Sequence, residues 1–175
     1  AKSEKCLEII NSSAKNTLNL LDNLLKWSKS QTGQIILKSE KINLSSIVKE
    51  ILEISDATAN AKTISLNHYQ SNEVEVYTDE DLLKTVLRNL ISNAIKYNRE
   101  NGSVYLSCNE NNDGSAVITV RDTGFGIKQS HLQNLFEPFN RLGKEDGTIE
   151  GVGIGLVVTK ELVAMMGFTL VVDSI

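Results

Sequence analysis

Asn89, Asn93 and Lys96 recur with Thr85 at steps of four, four and three residues, the spacing that lines one stripe of a helix. An Asn carbonyl can ligate magnesium without adding negative charge beside a triphosphate, and a lysine one turn on can meet that phosphate. A solvated helix face would show a similar polar stripe. Asparagine suits that bland role poorly, because its side chain competes with the backbone. Farther along, Asp122-Thr123-Gly124-Phe125-Gly126 follows an alternating apolar run, so Asp122 stands at the end of a strand. An ionised carboxylate there can accept from the exocyclic amine of adenine, where guanine would present a carbonyl, and the glycines let backbone approach the base. The competing reading is an ordinary turn, in which Asp and Gly are common.

Gly151, Gly153 and Gly155 precede a helical pattern, so unpaired N–H groups and a positive helix end are available to phosphate oxygens. A dinucleotide-binding unit uses glycines in the same place, but its upstream strand and downstream acid are missing, and there is no Gly-x-x-x-x-Gly-Lys-Ser/Thr loop. Between the two glycine segments, Phe136-Glu137-Pro138-Phe139-Asn140-Arg141 and the polar stretch after it suit a hinged lid, its phenylalanines anchored on the core. Arg141 would then reach a terminal phosphate; alone it reads as a surface arginine. His68 and His131, the only histidines, lack a carboxylate-rich helical context and are expected to be structural.

These residues need elements to position them. A heptad seam of Leu7, Ala14, Leu21 and Ser28, interleaved with Ile10, Thr17 and Leu24, predicts one long helix ending near Gly33. Its apolar face is wide enough for a helical bundle. Alternating strand and helix follow. Short strands are expected at 35–37, 63–69, 73–77, 103–108 and 116–121, with a last strand from Thr169. Asn43 or Ser45 caps one helix; Thr78 caps the helix that bears the asparagine stripe, with Leu83, Val86, Leu87, Leu90, Ile91, Ala94 and Ile95 as its buried side. A final helix is expected over 153–165.

The 175 residues and 41% hydrophobic content allow one α/β domain with an appendage. A formal charge of −4 without any Lys/Arg block argues against nucleic acid as the main ligand. Cys6 and Cys108 show neither disulfide-framework nor zinc spacing, which fits a reducing compartment. No apolar run approaches the roughly twenty residues of a membrane span. Beginning in mid-helix and ending in a strand without a closing turn, the chain is expected to be part of a longer protein.

Taken in order, the segments 88–97, 122–127, 136–141 and 151–156 resemble the N box, first glycine box, F box and second glycine box of bacterial sensor histidine kinases. Leu24-Leu25-Lys26-Trp27-Ser28-Lys29-Ser30-Gln31 resembles the second helix of their dimerisation and histidine-phosphotransfer hairpin. The resemblance implies the fold shared with gyrase, chaperone and mismatch-repair ATPases: α/β, a two-layer sandwich of a mixed β-sheet packed against helices, preceded by one long helix. Residues 1–33 would be the hairpin helix and 34–175 the catalytic ATP-binding domain. It implies ATP and Mg²⁺ as cofactors, with Asn93 on the metal, Asn89, Lys96 and Arg141 in catalytic positions near the phosphates, Tyr97 walling the adenine pocket and Asp122 binding adenine. Gly124, Gly126, Ile127, Phe139, Leu142, Gly151, Val152, Gly153, Ile154, Gly155 and Leu156 complete the implied nucleotide site.

By the same resemblance, the chain would transfer the γ-phosphoryl group of ATP to a histidine, pair as a homodimer through the hairpin, and serve a response-regulator receiver domain. It would work in the cytoplasm, with a parent protein open to anchoring in the inner membrane. Three departures stand out. The phosphoacceptor histidine in a His-Glu or His-Asp context is absent, so the chain should not phosphorylate itself. Val152 replaces a hydroxyl or other polar residue, which argues against a side-chain phosphate contact there. The usual last hairpin is missing. A related clamp ATPase is one alternative, but it needs a general-base Glu where the stripe carries Asn89; a non-catalytic dimeric nucleotide-binding scaffold is the other.

Overall fold

The computed structural model describes residues 2–70, 73–140 and 153–174. It opens with α1 (Lys2–Gln31), followed by β1 (Glu40–Asn43), α2 (Leu44–Asn60), β2 (Ser65–Gln70) and β3 (Glu75–Thr78). Then come α3 (Glu80–Lys96), β4 (Ser103–Glu110), β5 (Ala116–Asp122), the short α4 (Gln129–Leu132) and α5 (Gly155–Met165). β2, β4 and β5 form a three-stranded mixed sheet in that order, β2 parallel and β5 antiparallel to β4, while β1 and β3 pair antiparallel as a ribbon.

One face of the mixed sheet is covered by helices. Period-two alternation puts Val104, Leu106 and Cys108 of β4 on that face, where they meet Leu44, Ile47, Val48 and Ile51 of α2 and Leu83, Leu87, Ile91 and Ile95 of α3. Burying each such leucine or isoleucine contributes about 1.5–3 kcal/mol. Asn43 caps α2 by accepting from Ser45 N–H at 2.9 Å, one of the two caps expected. α3 is apolar on a second side as well. Leu82 and Val86 pack there against Ile154, Val158, Leu162 and Val163, with Leu24 of α1 and Ile35 at the margin. α3 is thus the spine shared by both cores.

Three expectations change. Residues 35–37 form no strand, because Lys38 N–H donates to Asp79 Oδ2 (2.9 Å) and Ile35 turns into the second core. The cap of α3 is Asp79, whose Oδ1 accepts from Leu82 N–H at 3.0 Å. Thr78 instead ends β3, its Oγ1 buried without a partner among the described residues. Residues 169–173 are not a strand either: Val171 is 82% exposed, and Ile127 N–H donates to Ser174 Oγ at 2.8 Å, a side-chain bond where a ladder requires backbone pairs. The heptad seam of α1 stays open to solvent at Leu7, Ile10, Leu18, Leu21 and Leu25.

Candidate active site

The stripe on α3 is divided by its neighbours. Thr85 is buried; its hydroxyl donates to Asp81 O (2.8 Å) and accepts from Lys26 Nζ of α1 (2.9 Å). Lys26 in turn pairs with Asp22 at 2.8 Å. Asn89 aims its amide at Gly155 O (3.4 Å) and Thr159 Oγ1 (3.5 Å) at the start of α5. Asn93 and Lys96 are not taken up in this way. Asn93 is half-buried and its side chain makes no hydrogen bond among the described residues. The Lys96 ammonium lies 4.7 Å from the centre of the Tyr97 ring and has no carboxylate partner among them. A half-buried amide with unmet hydrogen-bonding capacity is poised for an external partner.

The first glycine turn is locked onto the end of α3. In the β4–β5 register Asp122 is paired with Val104, which is 1% exposed, so parity places Asp122 on the helix-covered face; Arg121, paired with Tyr105, lies on the other. Asp122 Oδ1 accepts from Gly124 N–H at 2.8 Å, while Oδ2 has no partner among the described residues. Phe125 N–H donates to Tyr97 O at 3.2 Å. A Cβ on Gly124 would stand 2.5 Å from that carbonyl and 2.6 Å from Asp122 Oδ1, so only glycine allows the approach. Ile127 is half-buried beside Ser174.

Phe139 and Gly153 meet across the fold. Phe139 N–H donates to Gly153 O at 3.2 Å. Gly153 has φ +77°, and a Cβ on it would lie 2.9 Å from Asn140 O. Phe139 itself is held at φ +63°, an uncommon conformation for a bulky side chain, and is 60% exposed. Leu135, at 5% exposure, is the buried anchor here where the sequence had suggested the phenylalanines; Phe136 is half-buried under Lys160, 5.0 Å from its ring centre. Ile154 is buried, Gly155 and Leu156 half-buried. Arg141, Leu142, Gly151 and Val152 lie outside the described residues, as does the body of the expected lid.

Asn89 and Tyr97, which touch the two glycine turns, are separated along α3 by eight residues, about 12 Å of helix rise. That span is of the order of an extended nucleoside triphosphate. Two concavities, about 230 Å³ beside Lys38 and Asp79–Asp81 and about 340 Å³ beneath Tyr69 and Tyr105 on the outer sheet face, lie elsewhere and are lined by none of these residues. Among the described residues no three His, Cys, Asp or Glu side chains gather to hold a metal. His68 is exposed on β2, and His131 is half-buried on the four-residue α4. Burial pushes the Cys108 thiol up to about 11, as befits a core residue. On the surface of α3, Lys84 is raised by hydrogen bonding to Glu50 and then Glu80, and Glu50 is lowered chiefly by its bond to Lys84.

Sequence reasoning passed over Asn98, Ser103, Thr123 and Thr159, polar residues that tie the site's elements together. Asn98, Ser103 and Thr123 lie at helix and strand ends, where any turn would show polar residues, and Thr159 lies within α5.

The sensor histidine kinase GacS of Pseudomonas protegens is 33% identical over 96% of the chain, and the cell-division control histidine kinase PdhS of Brucella suis 29% over 96%. The chain spans only 19% and 17% of these relatives. Among solved structures, full-length ShkA in complex with AMPPNP superposes with a TM-score of 0.78 at 24% identity, covering 95% of this chain and 35% of that one. The Acinetobacter baumannii histidine kinase AdeS does so with 0.74 at 21%, covering 90% and 72%. These likenesses show the fold, a mixed sheet packed against helices. A family model matches residues 78–175, more than half of the chain, from the end of β3 through both glycine turns; the chain therefore belongs to the histidine kinase-, DNA gyrase B- and HSP90-like ATPases.

Proposed function

We propose that this chain is the ATP-binding, phosphoryl-transferring module of a two-component sensor histidine kinase, acting on a histidine outside its 175 residues. The observation that supports the reading is the division of α3: its first half is bound to α1 and α5, while among the described residues the Asn93 side chain has no hydrogen bond and Lys96 meets the Tyr97 ring but no carboxylate. Asp122 Oδ2 would accept the adenine amine, Tyr97 would flank the base, and Gly124, Gly126 and Ile127 would shape its pocket. Asn89, Lys96 and Arg141 would face the phosphates, with Phe139, Leu142, Gly151, Val152, Gly153, Ile154, Gly155 and Leu156 bordering them. Membership of an ATPase family, and a structural neighbour solved in complex with AMPPNP, support a nucleotide as the ligand.

Mg²⁺ fits the residues present. With no group of three His, Cys, Asp or Glu side chains among the described residues arranged to hold a metal, a hard cation would rest on one protein oxygen, Asn93 Oδ1, and on nucleotide phosphates. When bound, it would neutralise charge on the transferring phosphoryl group. The chain's own contribution is positioning: backbone and amide groups that hold the nucleotide in line, and a lysine that meets developing charge. Residues 1–33 would supply one helix of a dimerising hairpin, consistent with the open leucines of α1, and 34–175 the catalytic domain.

A receiver domain is the expected downstream partner; a related kinase, ThkA, has been solved in complex with its response regulator protein TrrA. No described helix is long and apolar enough to cross a membrane; a cytoplasmic module of a protein anchored in the inner membrane accommodates this. The test is transfer: with γ-labelled ATP, Mg²⁺ and a separate hairpin bearing the acceptor histidine, acid-labile label should appear on the hairpin. Label on His68 or His131, or phosphate release without a labelled acceptor, would overturn the reading.

A further inference from the structure

We infer that Asn98 and Thr123 form a positioning pair that holds Asp122 in place to read a purine's exocyclic amine, so that nucleotide selectivity depends on two residues one step removed from the base. This rests on the assignment of Asp122 made above. Asn98 is 7% exposed, immediately beyond the end of α3. Its Nδ2 donates to Ser103 O at 3.0 Å, and its Oδ1 accepts from its neighbour's Arg99 N–H at 3.0 Å and from the Thr123 hydroxyl at 3.3 Å. A residue that merely capped the helix would bond locally. Asn98 reaches across to the first residue of β4 and to the turn that follows β5.

Thr123 completes the junction. The β4–β5 register ends at the pair Val104 and Asp122. At the next position Thr123 N–H donates to Ser103 O (3.1 Å), but Ser103 N–H is met by Thr123 Oγ1 (2.9 Å), a side chain standing in for the carbonyl that would continue the ladder. The backbone is thereby free to swing into the glycine turn while the strand end stays clamped. Asp122 is caught between this clamp and its own bond to Gly124 N–H. Asn98 is buried whereas Thr123 and Asp122 are exposed, so the network is anchored at its Asn98 end, and bonds to that anchor hold the strand end, with the carboxylate that must discriminate an amine from a carbonyl, in one place.

The experiment uses the whole 175-residue chain, Thr123→Val and Thr123→Ser, titrated calorimetrically with Mg²⁺-ATP and with Mg²⁺-inosine triphosphate, which carries a carbonyl where adenine carries the amine. Valine keeps the shape and removes the hydroxyl. ATP affinity should fall about tenfold in Thr123→Val while inosine triphosphate affinity stays within about twofold, and Thr123→Ser should restore the preference. Asn98→Ala should move the same ratio. Equal losses for both nucleotides, or a serine variant no better than valine, would assign the pair to stability alone and overturn the inference. An unmodified chain that binds both nucleotides equally would instead remove the assignment of Asp122 on which it stands.

Discussion

The two halves of the α3 stripe look alike in sequence and differ in the fold. Thr85 and Asn89 are satisfied by the protein, through Lys26 of α1 and through Gly155 and Thr159 of α5. Among the described residues Asn93, one turn farther on, has no side-chain hydrogen bond, and Lys96, two turns on, meets the Tyr97 ring but no carboxylate. The first half fastens helices to one another, with Asn89 at its margin also proposed to face the phosphates, and the second is more open to a ligand. A polar stripe is therefore not one functional unit. Its roles are set by what each turn of the helix meets.

The largest effect expected from breaking this contrast comes at the boundary of the open half. Gly124→Ala should push the first glycine turn away from Tyr97 O, destabilise the chain by about 1–3 kcal/mol and abolish measurable ATP binding, as read by denaturant unfolding and calorimetry. An unchanged affinity would mean that the turn does not form the pocket. Next in size is Asp122→Asn, which weakens ATP by about 1–3 kcal/mol through an impaired charge-assisted hydrogen bond, with little effect on unfolding.

The two asparagines sharpen the comparison directly. Asn93→Ala should remove the gain in ATP affinity that Mg²⁺ confers while changing stability by less than about 0.5 kcal/mol. Asn89→Ala should cost about 1 kcal/mol of stability, since its amide serves α5. If Asn93→Ala proved the more destabilising, the division of the stripe would be wrong. Thr85→Val, which deprives Lys26 of its acceptor, should cost about 0.5–1.5 kcal/mol and leave ATP affinity intact.

The smallest effect extends the contrast of covered and open groups to the cysteines. Exposed Cys6 should react with a thiol reagent at once and Cys108 only as the domain opens. With its native value near 11 against an ordinary 9.0, Cys108 keeps its proton in the folded state after the unfolded chain has lost it. Its contribution is thus fully present below about pH 9 and declines as the pH rises through 11. Cys108→Ala should flatten that part of the stability–pH curve; an unaltered slope would place the titration elsewhere.

Most elements were legible from periodicity. α1, α2, α3 and α5 follow apolar spacing, and β4 and β5 follow strict alternation bounded by a turn-rich link. The failures have a common form. Residues 35–37 and 169–173 carry β-forming side chains but find no backbone ladder partner among the described residues, and strands exist only in pairs. Thr78 and Asp79 are both acceptable caps; what chose between them was the β1–β3 ribbon, which uses Thr78 in its ladder and delivers Asp79 to Leu82 N–H.

By itself the sequence determined the inventory of the site, because residue type dictates chemistry: an amide oxygen for a hard cation, a carboxylate for an amine, glycines where backbones must touch. It also placed Asp122 at the end of a strand, but that Asp122 shares a face with Val104 follows only from the β4–β5 register. Only the tertiary structure decided which residues are available. Asn98 is joined to Thr123, and Asn89 to Thr159, across separations of 25 and 70 positions. No local pattern encodes such pairings, because a hydrogen-bonding group is free or spent according to what long-range packing brings within about 3 Å of it.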